Sequence, residues 1–324
     1  MKKQILALAL SLALGAAAAP ASAAELCKAI SGPVSGPWYA SMGQMAKAVN
    51  TVYPDIKFEM LPGGALANPM RMQSKDGDIS LVTNCIGFAA REGADPYKKP
   101  VSGVNSLFSI GDTARFTIMI RSDLGINSIE DIAAKKPALR VAYGPKSAAT
   151  WVGGWVFERY GFNYKDIESW GGKLYSNNYD DVVNMARDGQ IDCVIWLGPG
   201  EGWFITEIVK NVPMKFLPVS KEIAESMTAD KGLVPGFVPK DYYAGYVGVS
   251  DVPTVTAVTE VIVRDDLSED MAYKITKVIC EHKDDLAQGN AMWSTFTPET
   301  AWQNLSYPIH PGAMKYYKEQ GWIK

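Results

Sequence analysis

Two stretches of the chain combine glycine, hydroxyl and aromatic residues in an order suited to holding an anion on the backbone. Ser31-Gly32-Pro33-Val34-Ser35-Gly36-Pro37-Trp38-Tyr39 lies between an apolar run and a segment of helical period, and Tyr143-Gly144-Pro145-Lys146-Ser147-Ala148-Ala149-Thr150-Trp151 has the same setting further on. Small residues let a backbone approach a ligand closely, and the free N–H groups of a helix start, aided by a hydroxyl, hold a carboxylate. A plain strand-to-helix turn uses the same residue types, so the first stretch alone divides evenly between the two readings. A second turn of the same kind in the other half favours a shared site. Asn84, and Trp196-Leu197-Gly198, end two further apolar runs, where open α/β sheets bind their ligands. Trp38, Trp151 and Trp196 offer either ring surface to a ligand or core packing. Lys146 is equally a carboxylate partner or a solvated cation.

Other chemistries find less support. His282 and His310 are the only imidazoles. An enzymatic rival, a secreted hydrolase, would have to bring Ser35 to His310, and in Gly32-Pro33-Val34-Ser35-Gly36 the serine stands one place late for a nucleophile elbow. Neither histidine has a second ligand at zinc spacing. Gly144-Pro145-Lys146-Ser147 lacks the earlier glycine of a phosphate loop. No cofactor or metal is expected. Arg71 and Arg91, after the second and third strands, could each fork onto a carboxylate but rank below the backbone anchors. Cys27, Cys85, Cys193 and Cys280 are widely spaced with no CxxC, which leaves disulfides and buried free thiols both open.

The elements that must position these residues alternate. Strands are expected over Leu26–Ile30, Ile56–Leu61, Ile79–Val82, Phe116–Ile120, Arg140–Tyr143, Cys193–Leu197, Met214–Leu217 and Glu260–Val263. Helices are expected over Tyr39–Val52, Pro69–Lys75, Ser128–Ala134, Thr150–Tyr160, Asp180–Asp188, Trp203–Lys210, Ser268–His282 and Pro311–Gln320. Trp155 and Phe157 lie within a helical period and read as core. The Gly-, Pro- and Tyr-rich stretch 230–251 reads as a long ordered loop. Short strands alternating with helices imply parallel α/β units, two of them in tandem.

Ahead of them, Lys2 and Lys3, the apolar run Ile5–Ala19 and Pro20-Ala21-Ser22-Ala23 read as a secretory signal peptide over 1–23. The acidic Glu25 before Cys27 disfavours a lipid anchor. Without the two leader lysines the chain is two charges more negative than its formal −3, and no basic field exists to hold nucleic acid.

These stretches together resemble the TAXI-type solute receptors of tripartite ATP-independent periplasmic (TRAP) transporters. The likeness is carried by the Ser31–Tyr39 turn, by Pro62-Gly63-Gly64-Ala65 with Asn68, by Gly77-Asp78-Ile79-Ser80-Leu81-Val82, by Arg140-Val141-Ala142-Tyr143-Gly144, and by Asp188-Gly189-Gln190-Ile191-Asp192, in order along nearly the whole chain. Pro33 and Pro37 stand where the family has more Gly or Thr, and Ser147-Ala148-Ala149-Thr150 replaces Gly-Ser-Gly-Thr.

The resemblance implies an α/β fold of the two-lobed type II periplasmic-binding kind, with two parallel-type sheets and hinge strands. The first lobe would take 24–121, the second 122–255, and 256–324 would return to the first, with crossings near Arg121–Ser122 and Ser250–Glu260. It implies a periplasmic, monomeric receptor that captures a small organic acid and delivers it to a TRAP permease, without catalysis. The ligand residues would be Ser35, Gly36, Trp38, Tyr39 and Asn84 from the first lobe, and Lys146, Ser147, Ala148, Ala149, Thr150, Trp151, Trp196 and Gly198 from the second. A receptor of the same fold serving a membrane sensor is the non-enzymatic alternative.

Overall fold

The computed structural model describes residues 25–34, 36–144, 147–243 and 250–324. The leader, Ser35 and Lys146 lie outside the described residues. The first half opens with β1 (Glu25–Ile30), α1 (Pro37–Val52), β2 (Ile56–Leu61), α2 (Asn68–Gln73) and β3 (Ile79–Thr83), in which β1 pairs in parallel with both β2 and β3. As the spacing of its apolar residues predicts, α1 buries Met42, Met45 and Val49. All of β3 is buried, which is why its apolar residues run on without alternation. A further helix, α3 (Asn84–Glu92), follows directly and ends on left-handed Gly93. Its small residues hide the helical period, and the sequence reading missed it.

β4 (Val104–Arg121) has 18 residues, although hydropathy marked only its last third. The polar stretch Gly111-Asp112-Thr113-Ala114-Arg115 breaks the apolar pattern mid-strand. The second half then runs α4 (Ile129–Lys135), β5 (Arg140–Tyr143), α5 (Ala148–Arg159), α6 (Tyr164–Ser169), β6 (Lys173–Ser176), α7 (Tyr179–Arg187), β7 (Cys193–Pro199), α8 (Trp203–Val209) and β8 (Met214–Leu217). Ser128 caps α4, its Oγ accepting from the Asp131 N–H at 3.1 Å. β5 pairs in parallel with β6 and β7.

After α9 (Lys221–Ser226) and α10 (Thr228–Lys231), the stretch read as a loop contains a strand, β9 (Val234–Val238), which pairs with the returning β10 (Val252–Arg264). α11 (Glu269–Glu281), capped by Ser268, α12 (Lys283–Gly289) and α13 (Pro311–Glu319) complete the chain. α11, α13 and α1 cover the first half of the sheet with Met271, Ile275, Tyr316 and Tyr317.

The two parallel-type sheets expected with hinge strands are present as parallel sets joined through two long strands. A single ten-stranded sheet runs β2-β1-β3-β10-β4-β7-β5-β6, with β8 on β4 and β9 on β10. The long strands β4 and β10 are antiparallel to each other and to their neighbours, and fuse the two parallel halves. Register then fixes where the halves meet. β3 ends with Thr83 opposite Thr259 of β10, and β7 ends with Pro199 opposite Ala114 of β4, which itself faces Ala257 of β10. The carboxyl ends of the two parallel sets therefore run toward each other and stop within two residues along the crossing ribbon. At the same point β10 slips register, between Val258 and Glu260.

Candidate functional site

Strand-to-helix turns in both halves thus follow strands that run toward the crossing ribbon. In the second half, Ser147 stands at the N-cap of α5 with extended backbone but makes no side-chain cap bond. A serine there ordinarily accepts from the first turn's N–H groups. Here its Oγ is buried and unpartnered, as is the Oγ1 of Thr150 one turn further on. The Thr150 carbonyl is taken by the Tyr164 hydroxyl at 3.0 Å, which pins the helix start. In the first half, Ser31 is fully buried just beyond β1, and its Oγ is likewise without a hydrogen bond. A buried hydroxyl left unpaired costs about 1–3 kcal/mol, so three at the two turns are a sizeable expense for a fold to carry without use.

The remaining expected site residues divide. Gly36 caps α1 through its backbone, and Trp38 packs partly buried against the first-half core, with Tyr39 half-buried beside it. Ala148 and Trp151 rest against the central core, and Ala149 is inside it. Asn84 is fully occupied: its Nδ2 donates to the carbonyls of Gly232 (2.6 Å) and Asn304 (3.1 Å), and its Oδ1 accepts from the N–H groups of Cys85 (2.9 Å) and Val258 (3.1 Å). It clasps both halves and the C-terminal segment, and no donor or acceptor is left over for a ligand. Trp196 is packed edge-on against Phe204, with ring centroids 5.8 Å apart, and only 8% exposed. A methyl at Gly198 would overlap its indole, so this glycine serves the packing of Trp196.

The other motifs of the resemblance prove to be scaffold. Arg140 and Asp192 form a two-point ion pair, Nε to Oδ2 at 2.8 Å and Nη2 to Oδ1 at 2.6 Å, tying β5 to the entry of β7. Asn68 accepts from the Gly64 N–H and donates to the carbonyls of Ser31 (2.9 Å) and Leu81 (2.7 Å), holding the first turn against β3. Asp78 accepts from the Lys28 N–H at 2.8 Å and pairs with Arg264.

Arg71 and Arg91 do not converge on the turns. Arg71 bonds the Pro62 carbonyl and pairs with Asp76; Arg91 bonds the Ser306 carbonyl and pairs with Glu92. Trp155 and Phe157 are core, as expected. His310 is buried at the N-cap of α13. Its Nε2 lies 3.0 Å from the Leu267 carbonyl and its Nδ1 accepts from the Gly312 N–H at 3.2 Å, a neutral tautomer with neither nitrogen spare. Burial lowers its pKa. His282 is a partly exposed residue at the end of α11, 3.3 Å from Asp285. All four cysteines are buried free thiols, and burial pushes the Cys85 thiol up to about 12. Among the described residues no cluster of His, Cys, Asp and Glu fits a metal ion, and no helix is long and apolar enough to cross a membrane.

Sequence reasoning missed one buried group. Glu260, fully buried on β10, accepts from Ser106 Oγ (2.9 Å), from the Ser306 N–H (3.0 Å) and from Ser306 Oγ. Gly87 allows this approach, since a methyl there would collide with Ser306. Among the described residues no cation pairs with the carboxylate, and desolvation pushes its pKa up to about 7 against the pull of its hydrogen bonds and of Arg91. The only signal in the sequence was a lone acid within the apolar run Val258–Val263.

Two parallel α/β halves joined by a pair of antiparallel crossing strands define the type II periplasmic-binding-protein fold. The chain belongs to the NMT1-like family, whose model matches residues 30–321. Among solved structures it is similar to XAC2383 from Xanthomonas citri bound to chloride ion, at 11% identity and a TM-score of 0.52, covering 91% of this chain and 98% of that one. It also matches the periplasmic aliphatic sulphonate binding protein SsuA from Escherichia coli (9% identity, TM-score 0.48, 91% and 83% covered). A third match is the amino acid ABC transporter substrate-binding protein AbpA from Streptococcus pneumoniae bound to L-arginine (13%, 0.42, 87% and 96%).

Proposed function

We propose that this chain is an exported solute receptor that captures a small organic acid between its halves and presents it to a membrane permease of the TRAP type. The reading rests above all on the buried, unpartnered hydroxyls of Ser147 and Thr150 at the free N-terminus of α5, where the carboxyl ends of both parallel sets converge. An acid group there would accept from the two hydroxyls and the first-turn N–H groups and would lie at the positive end of the helix. Ser31 contributes from the opposite turn. Capture needs no bond to be broken, and a hydrolase built on His310 would lack a free imidazole nitrogen.

In this reading the hinge lies where β4 and β10 change partners, at Thr113–Arg115 and Thr256–Val258, and the lobe boundary is drawn there instead of at Arg121–Ser122. A ligand that touches both halves only when they close shifts the population toward the closed form, and that form is what a permease distinguishes. The carboxylate class and the TRAP partner follow from the sequence resemblance to TAXI-type receptors.

The test is a thermal-shift screen of the mature protein against carboxylates. At a hundredfold excess over Kd a bound acid adds about 2.7 kcal/mol by mass action, so at least one acid is expected to raise Tm. Ser147→Ala with Thr150→Ala should reduce that rise. A screen in which sugars or amines stabilise the protein and no acid does would overturn the proposal.

A further inference from the structure

The turn after β1 and the turn after β7 carry apolar surface that the fold leaves in water. Val34, in the turn after β1, is 65% exposed, and Trp203, the first residue of α8 after β7, is 53% exposed. Lone exposed apolar residues are ordinary, but Val34 follows β1, the neighbour of β3, and Trp203 follows β7, and β3 and β7 end within two residues of each other along the ribbon. β7 continues until Pro199 pairs with Ala114, so the loop leading to Trp203 begins at the crossing itself.

The loop is held firmly. The Gly202 N–H donates to the Tyr243 hydroxyl at 2.8 Å, and the Trp203 ring sits edge-on against Phe204 at 6.1 Å. Phe204 is in turn stacked on Tyr179 at 4.1 Å and 11°. Trp203 is therefore a large ring on a rigid aromatic base with half its surface uncovered, whereas Trp196, seven positions earlier in β7, has its indole enclosed.

Resting on the reading that the Ser147–Thr150 turn holds an acid group, we infer that the ligand is a carboxylate with a flat, apolar body, and that Trp203 selects it. The acid end is fixed by the α5 turn. When the halves close, the apolar body covers the Trp203 ring on one side and Val34 bounds it on the other. This removes from water two of the large apolar side chains that stand exposed, and a planar ring gains stacking that an alkyl chain of equal area lacks. Trp203 is a specificity-determining residue, with no part in holding the carboxylate.

The experiment is calorimetric titration of the mature wild-type chain, Trp203→Ala, Trp203→Phe and Ser147→Ala/Thr150→Ala. The probes are benzoate, 4-hydroxybenzoate and phenylacetate, set against acetate, pyruvate and succinate. Trp203 is exposed, so its replacement should leave Tm of the free protein unchanged. Expected is weaker binding of the aromatic acids to Trp203→Ala by about tenfold, most of it restored in Trp203→Phe, with any aliphatic acid unaffected; the double hydroxyl variant should weaken both classes. Equal losses for both classes in Trp203→Ala, or none, would overturn the role of Trp203 while leaving the acid receptor standing. Binding of aliphatic acids alone would overturn the proposed ligand class. Binding of neither class would overturn both readings together.

Discussion

Glu260 is a carboxylic acid in an environment unusual for its type. A carboxylate at 0% exposure with three donors and no ion-pair partner keeps its proton well above the ordinary range. The folded-state pKa of about 7 lies above the ordinary 4.5, so the folded form binds the proton more tightly than the unfolded chain. Its contribution to stability is therefore fully present below about pH 4.5 and is lost as pH rises through about 7. The loss amounts to roughly 3 kcal/mol. Thermal unfolding between pH 5 and pH 8 should show Tm falling with pH in the wild type and a flatter profile in Glu260→Gln, whose amide keeps the shape and never ionises. A profile in the variant as steep as in the wild type would assign the pH dependence to other groups. Arg91, Tyr307 and Cys85 are ionisable groups that interact electrostatically with it.

At the scale of elements, a few polar side chains hold α3, the segment after α10, the crossing strand and the C-terminal arm together. Asn84 alone joins all four. Removing its amide leaves two carbonyls and two N–H groups short of a partner, and each buried loss is worth about 1 kcal/mol or more. Asn84→Ala should then lower stability by about 2–4 kcal/mol in denaturant unfolding. A change under half of that would mean that water or a rearranged backbone replaces the clasp. The residue also marks a boundary of sequence reading. Asn84 follows a strand, which is why it looked like a ligand contact, but the strand end that it occupies is sealed by Gly232 and Asn304, whose approach no local pattern announces.

For the molecule as a whole, among the described residues the sheet joins its two halves through the crossing ribbon. Bending there leaves each parallel set intact, because the hydrogen-bonding partners of β4 and β10 change at Thr113–Arg115 and Thr256–Val258. Small-angle scattering with a saturating acid identified by the thermal screen should report a smaller radius of gyration than the free protein, and Ser147→Ala/Thr150→Ala should respond less at the same concentration. A radius unchanged by a ligand that demonstrably binds would rule out closure as the signal.

The α/β class, the order of most strands and helices, the N-caps at Ser128 and Ser268 and the two hydroxyl-bearing turns were legible in the sequence, since each depends on residues within one or two helical turns of one another. The length of β4 and β10 was not, because polar residues within them such as Ser106 and Thr254 bond partners more than a hundred positions away. Nor was it legible which tryptophan stands exposed. Trp196 and Trp203 share a residue type and a neighbourhood, and only the closure of Phe204, Gly198 and Gly202 around the first puts it inside. The burial of Glu260 among Ser106 and Ser306 and the meeting of two sets of strand ends at one ribbon were likewise tertiary decisions: register across a sheet is a property of chains already brought together, and no residue encodes it alone.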